Sequence, residues 1–245
     1  MAAFYSGFCL GLIAFCNYSN FFAVTDMGIL EIDSVELSFE NRRVLQSVYL
    51  KLSTGQVTAI LGRNGCGKSC LLQALFGTLE AQNKSVRWNG QYLPSPYKKT
   101  GVIRYLPQQP FTPDALKVQD AFRLYQSDFE QFLGHCPDLK RYHKTPFGLL
   151  SGGERRLIET ALILFSKTQF VLLDEPFLFL SPIYATILHQ MIAQQRPHKG
   201  ILLTDHLYVE VLKIANQTYL LQNGATTLLK NPRQELITHG YLPDS

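Results

Sequence analysis

The sequence predicts an α/β fold with an added antiparallel β layer and a short helical insertion. Three observations predict it. Val57-Thr58-Ala59-Ile60-Leu61 is β-branched and apolar, and it runs through Gly62-Arg63-Asn64-Gly65-Cys66-Gly67-Lys68-Ser69 into a helical pattern stopped by Gly77. Two further apolar runs end abruptly in polar side chains, Phe170-Val171-Leu172-Leu173 in Asp174-Glu175 and Gly200-Ile201-Leu202-Leu203 in Thr204-Asp205-His206, as buried strands do. Ahead of the glycine loop, residues 29–32, 35–39 and 44–52 alternate as three short strands, which imply an antiparallel layer beside the loop.

The octet fits G-x-x-x-x-G-K-[ST], and strand, loop and helix are the context that makes it a phosphate site. Its glycines let backbone N–H groups converge on phosphate oxygens, and the helix N-terminus adds its positive end. Lys68 supplies a mobile charge near the β- and γ-phosphates, and the Ser69 hydroxyl is placed for Mg²⁺. A glycine-rich turn with no ligand would not require a lysine followed by a hydroxyl. Cys66 is expected to be a small residue filling a tight loop; the alternative, from its place at a helix N-terminus where a thiol pKa is lowered, is a reactive thiol whose modification blocks nucleotide binding.

A chain of 245 residues, 46% hydrophobic and 17% charged, suits one large domain or a core with a subdomain. A net charge of +4 does not argue for nucleic acid. The pairs Arg42-Arg43, Lys98-Lys99 and Arg155-Arg156 are scattered and read as solvated surface. Five cysteines without a C-x-x-C pair indicate neither a zinc site nor a disulfide framework, and fit a reducing cytosol.

In chain order, residues 1–27 differ in character from the rest of the chain. Residues 4–15 are mostly apolar, and no Lys or Arg precedes Arg42. A secretory signal needs a basic start, and a membrane span needs about 20 apolar residues. Met27 reads as the true initiator and the leader as a start-site artefact, with a weak membrane or partner anchor as the alternative. The domain then covers residues 28–245. Phe39 lies at the turn of the β layer, where it either stacks on a base or serves as an edge aromatic. Residues 86–90 and 101–106 are strands, the second ending in Pro107-Gln108-Gln109-Pro110; the prolines stop it and present Gln108 and Gln109. From 114 to 139, Leu116, Val118, Ala121, Phe122, Tyr125, Phe129, Phe132 and Leu133 recur near helical spacing, a short insertion within the α/β core.

Ser151-Gly152-Gly153-Glu154 opens a helix through about residue 165. Ser151 and Glu154 fit a capping box, but capping does not ask for two glycines, each costing a helix about 1 kcal/mol. Bare N–H groups beside a serine hydroxyl suit a second phosphate-facing helix end. Asp174, ending its strand beside the phosphate loop, is placed to hold Mg²⁺ through water, and Glu175 to orient and deprotonate an attacking water. His206 ends a strand at the ligand edge of the sheet. Residues 182–195 are helical, residues 216–221 and 225–229 close as paired strands around Asn223-Gly224, and residues 232–238 form a final helix.

Taken together, these residues resemble the ATP-binding cassette (ABC) ATPase family from about residue 28 onward, in the family's order. Gly62 to Ser69, with Cys70 following, matches Walker A; Gln108 in Tyr-Leu-Pro-Gln matches the Q-loop; Leu150-Ser151-Gly152-Gly153-Glu154 matches the signature motif. Residues 170–175 match Walker B with its catalytic glutamate, His206 matches the switch histidine, and Phe39 falls where the family stacks an aromatic on adenine. The resemblance implies a P-loop NTPase with a RecA-like core, an antiparallel β-subdomain and a helical subdomain near residues 111–150. It implies ATP and Mg²⁺, with Ser69, Gln108 and Asp174 toward the metal and Glu175, His206 and Gln108 in catalysis. It implies a head-to-tail homodimer or heterodimer in which Ser151, Gly152 and Gly153 of one subunit complete the Walker A site of the other. It also implies a separate transmembrane permease, which holds the chain on the cytoplasmic face of the cell membrane, and no direct contact with nucleic acid. Cys70 stands where a second hydroxyl is common, Glu154 replaces the commoner glutamine, and Ser181 stands where the D-loop usually has aspartate. The Leu-Thr-Asp-His, Asp-Glu-Pro-Phe and Gly-Tyr-Leu stretches look like ATPases of the lipopolysaccharide-export type.

The function expected is therefore an ATP-binding and ATP-hydrolysing subunit of an ABC transporter. The alternative is a soluble ABC ATPase acting on ribosomes or nucleic acid, which usually carries two cassettes or a long coiled-coil insertion; one Walker A and no heptad run argue against it. A regulator that binds nucleotide without hydrolysing it would not retain Glu175 and His206.

Overall fold

The computed structural model describes residues 27–40 and 42–243. The leader, residues 1–26, with the reading of it as a start-site artefact or an anchor, lies outside the described residues. Strand β1 (Ile29–Phe39) pairs antiparallel with β2 (Arg42–Ser53). These are two long strands with bulges, where three short ones are expected. The polar pair Asp33-Ser34 interrupts the alternation, yet the chain stays paired because Ser34 adopts a left-handed conformation (φ 55) at a register shift between Ile32 and Val35. β3 (Val57–Leu61) is buried throughout and leads into α1 (Lys68–Phe76), which stops at Gly77 in the left-handed conformation. β4 (Asn83–Trp88) and the two-residue β5 (Gln91–Tyr92) complete a four-stranded antiparallel sheet in the order β2-β1-β4-β5.

β6 (Ile103–Leu106) begins later than its apolar run because Gly101 turns at φ 78. The expected helical stretch is broken. α2 (Val118–Tyr125) ends at Gln126 (φ 53), α3 (Phe129–His135) restarts where Asp128 accepts from the Gln131 N–H at 2.9 Å, and Pro137 halts it. Val118, Ala121, Phe122, Phe132 and Leu133 are all buried against the main core. α4 (Gly152–Leu164), β7 (Phe170–Asp174), α5 (Pro182–Gln195), β8 (Gly200–Thr204), α6 (Tyr208–Leu212), β9 (Gln217–Gln222), β10 (Ala225–Leu228) and α7 (Pro232–Thr238) complete the chain order. α6 has no strong apolar period and is not evident in the sequence.

The second sheet runs β10-β9-β3-β8-β7-β6, parallel except at the β10 edge. Its strands alternate between two cores. Val57, Ala59, Leu61, Val171, Leu173, Ile201 and Leu203 face the helical side, with Leu157, Leu162 and Leu188. Ile60, Phe170, Leu172 and Leu202 face the other side, with Leu71 and Leu75 of α1 and Leu30, Leu45 and Leu50 of the antiparallel sheet. Central parallel strands are buried on both faces, which is why they read as unbroken apolar runs. Their carboxyl ends, with the glycine loop, Gln108, Asp174, Glu175 and His206, fall along one edge of the sheet.

Candidate nucleotide site

The glycine loop leaves β3 and enters α1 through Gly67, whose φ of 106 is open to glycine and strained for other residues. A Cβ there would also stand 2.9 Å from Val44 of β2, so the antiparallel sheet closes on the loop. Lys68 is 5% exposed, and its Nζ donates to the carbonyls of Gly62 (2.8 Å) and Arg63 (3.2 Å). Among the described residues it pairs with no carboxylate. A buried ammonium held by two carbonyls and no counter-charge favours an anion. Phe39 ends β1 at the hairpin with β2 and is 48% exposed, so its ring is open to a planar ligand.

Of the two readings of Cys66, the structure supports the small residue filling the loop. Burial pushes its thiol up, and this outweighs the nearby Lys68 charge that would lower it. Its Sγ packs against Gly62, where an added Cβ would stand 2.8 Å away. Cys66 is thus a small residue filling a tight loop, and not an activated thiol.

At the end of β7 the Asp174 carboxylate is 1% exposed and accepts from Tyr105 Oη (3.0 Å) on one oxygen and Thr204 Oγ1 (2.7 Å) on the other. Each oxygen keeps a further lone pair. Glu175 comes next at φ 50, and its Oε2 accepts from Gln108 Nε2 at 2.8 Å. His206 Nδ1 stands 3.7 Å from the same Oε2 and 3.6 Å from Asp205 Oδ1. Asp205 is fully buried, which pushes its carboxyl up, and it accepts from the N–H groups of Phe177 (3.0 Å) and Leu207 (2.9 Å). It thereby holds the loops after β7 and β8 together. Gln108, Glu175 and His206 thus meet at one carboxylate, which the sequence spacing alone does not show.

Arg155 and Arg156 are not solvated surface. Arg156 is 4% exposed; its guanidinium donates to the carbonyls of Pro107 (2.7 Å), Asp174 and Glu175 (3.0 Å). Burial lowers its pKa, opposed by the carboxylates of Glu159, Asp174, Asp205 and Glu175. Arg155 pairs with Asp114 (2.6 Å) and with the buried Glu159 (3.2 Å), whose Oε1 also accepts from Thr112 Oγ1 at 2.5 Å. α4 therefore ties the loop that carries Gln108 to the loop that carries Glu175. Arg156, Tyr105 and Thr204 give no sign of their place in the sequence, because their partners are far away along the chain. Arg42, Arg43, Lys98 and Lys99 are exposed, as expected.

At the start of α4 the capping box forms in full. Ser151 Oγ accepts from the Glu154 N–H (3.3 Å) and donates to Glu154 Oε2 (2.8 Å), which also takes the Ser151 N–H (2.9 Å). Tyr142 Oη donates to Glu154 Oε1 at 2.6 Å, and these donors with Arg141 lower the Glu154 pKa against the opposing effect of burial. Gly153 has a packing reason to be glycine, since a Cβ would meet the Phe179 carbonyl at 2.9 Å. For Gly152, nothing among the described residues lies within 4 Å of where its side chain would begin. That bare, exposed turn is open to an approaching group. Ser181 caps α5, accepting from the Tyr184 N–H at 3.3 Å.

The donors fit a nucleotide with a hard divalent cation. Asp174 and Ser69 offer oxygen ligands, as Mg²⁺ requires, and the Lys68 ammonium offers a positive charge to an anion. No group of three His, Cys, Asp or Glu side chains that could hold a metal ion occurs among the described residues. No helix among the described residues is long and apolar enough to cross a membrane.

A family model described as ABC transporter matches residues 45–178. The high-affinity branched-chain amino acid transport ATP-binding protein BraG of Pseudomonas aeruginosa is 29% identical over 225 residues, covering 84% of this chain and 97% of that protein. The lipopolysaccharide export system ATP-binding protein LptB of Acidithiobacillus ferridurans is 29% identical over 235 residues, covering 88% and 97%. The solved structure of an ATP binding subunit of an ABC transporter aligns with a TM-score of 0.73 over 89% of this chain and 95% of that one; at 22% identity this is a likeness of fold.

Proposed function

The chain belongs to the ABC transporter family as an ABC-type ATP hydrolase, and from that premise we propose that it couples ATP-driven dimerisation and hydrolysis to a separate membrane permease. The observation that supports this most is the meeting of Gln108 and His206 at Oε2 of Glu175, on the sheet edge where Lys68 pairs with no carboxylate among the described residues.

Residues 62–70 cradle the phosphates, with Lys68 on the β- and γ-phosphates, and Phe39 stacks on adenine. Ser69, Asp174 and Gln108 would hold Mg²⁺, which when bound would supply positive charge toward the phosphates. Glu175 accepts the proton of the attacking water, and His206 steadies Glu175 and the γ-phosphate. Arg156 keeps the Gln108 and Glu175 loops in register. Ser151, Gly152 and Gly153 complete the site of a second copy or a related subunit, where the open turn at Gly152 lets backbone N–H groups close on phosphate. Hydrolysis then loosens the pair, a two-state interface biased by its ligand.

The permease places the chain at the cytoplasmic face of the membrane. Equal identity to a branched-chain amino acid relative and a lipopolysaccharide-export relative singles out neither cargo, so specificity lies with the permease. Co-purification from detergent-solubilised membranes tests this coupling. A membrane permease retained with the chain is the expected result; ribosomes or DNA in its place would overturn it.

A further inference from the structure

The stretch Gly240-Tyr241-Leu242 comes after α7 and contributes none of the groups that meet phosphate, cation or water. Gly240 turns the chain at φ 70, and the N–H groups of Tyr241 (2.8 Å) and Leu242 (3.3 Å) both donate back to the Leu236 carbonyl. The turn carries the Tyr241 ring to the glycine loop, where the Arg63 guanidinium carbon stands 5.7 Å from its centre. Tyr208 of α6 meets the same ring edge-on, with centroids 5.7 Å apart at 78°. The Tyr208 hydroxyl donates to the Gly62 carbonyl at 3.3 Å. Gly62 and Arg63 are the residues whose carbonyls receive the Lys68 ammonium. Burial raises the pKa of both tyrosines, so both hydroxyls stay protonated at neutral pH.

We propose that Tyr241 and Tyr208 are positioning residues of the nucleotide site, a two-ring strut that fixes Gly62 and Arg63 and so aims Lys68. This rests on the reading of residues 62–69 as the ATP site. A cation over a ring and a hydroxyl on a carbonyl are each modest interactions, but here they bear on two consecutive residues of one loop, the Arg63 side chain and the Gly62 carbonyl. A purely structural tyrosine would need only its ring's apolar packing. This one also faces a guanidinium that belongs to the loop.

The test measures the Kd of a fluorescent ATP analogue and steady-state ATP hydrolysis on the full chain. Tyr241→Ala is expected to weaken binding about 5–20-fold and raise KM in step, with kcat at saturating ATP within about twofold. Tyr241→Phe keeps the ring over Arg63 and restores affinity to within about twofold. Arg63→Gln, which leaves the tyrosine packed, weakens binding as Tyr241→Ala does and serves if Tyr241→Ala does not fold. Unchanged affinity in Tyr241→Ala or in Arg63→Gln, or equal losses in Tyr241→Ala and Tyr241→Phe, would overturn the strut. Lys68→Ala separates the two readings. If it binds the analogue like the native chain, the ATP site itself is misplaced; if it loses binding while Tyr241→Ala keeps it, only the strut fails.

Discussion

Gln108 donates its Nε2 to Oε2 of Glu175 at 2.8 Å, the oxygen that also lies 3.7 Å from Nδ1 of His206. Three loops, after β6, β7 and β8, therefore meet at one carboxylate. A carboxylate so held is ready to orient a water molecule, and losing its charge should spare binding while stopping chemistry. Glu175→Gln is expected to bind ATP as the native chain does and to hydrolyse it about 10²–10⁴-fold more slowly. Steady-state phosphate release beside an equilibrium binding assay checks both halves, and native turnover would remove Glu175 from its role.

Lys68 offers the opposite case, a buried cation whose present partners are two carbonyls. Lys68→Ala should weaken ATP binding by about 1.5–3 kcal/mol, the worth of a charged hydrogen bond. Isothermal titration reads this directly, and an unchanged Kd would count against the phosphate site.

Arg156 joins the carbonyls of Pro107, Asp174 and Glu175 from inside the core. Arg156→Leu leaves three carbonyls without their donor and lets the two loops shift. It is expected to lower kcat about 10–100-fold while ATP affinity stays within about threefold. Arg156→Lys, which retains the charge but cannot span three carbonyls, should fall between. Equal losses in kcat and affinity would mark Arg156 as a folding residue only.

Lys199 is 5% exposed, its Nζ donates to the carbonyls of Ser166 and Thr168, and burial pushes its pKa down to about 8. An unfolded lysine titrates near 10.4. Between about 8 and 10.4 the unfolded state therefore binds more protons, so stability rises with pH there, and below about 8 the cost of the buried charge is fully present. Relative to Lys199→Met, the native chain should gain on the order of 2–3 kcal/mol across that window. Chemical denaturation at a series of pH values checks it, and a flat difference would refute the assignment.

Much of the sheet is legible in the sequence because its signals are local. Residues 57–61 and residues 182–195 stand where expected, since an unbroken apolar run and a Ser-Pro start define their bounds within a few residues. The long bulged β1 and the break between α2 and α3 are not legible, because Ser34 and Gln126 adopt left-handed conformations that tertiary pairing imposes on them. In the site, chain order places Asp174, Glu175 and His206 at strand ends. The burial of Arg156 stays hidden because a pair of arginines looks alike whether it faces water or three distant carbonyls. Of the two readings of Ser151 and Glu154, the capping box forms, and among the described residues nothing stands within 4 Å of where a Gly152 side chain would begin.

The site held by one chain is, on this account, half of a working site, completed by Ser151 to Gly153 of another. ATP turnover per subunit, measured as the purified chain is diluted, tests this most directly. Turnover that falls steeply on dilution, in step with loss of an ATP-dependent dimer by light scattering, is the predicted result. Turnover per subunit that stays constant on dilution, in a chain shown to be monomeric with ATP bound, would contradict it.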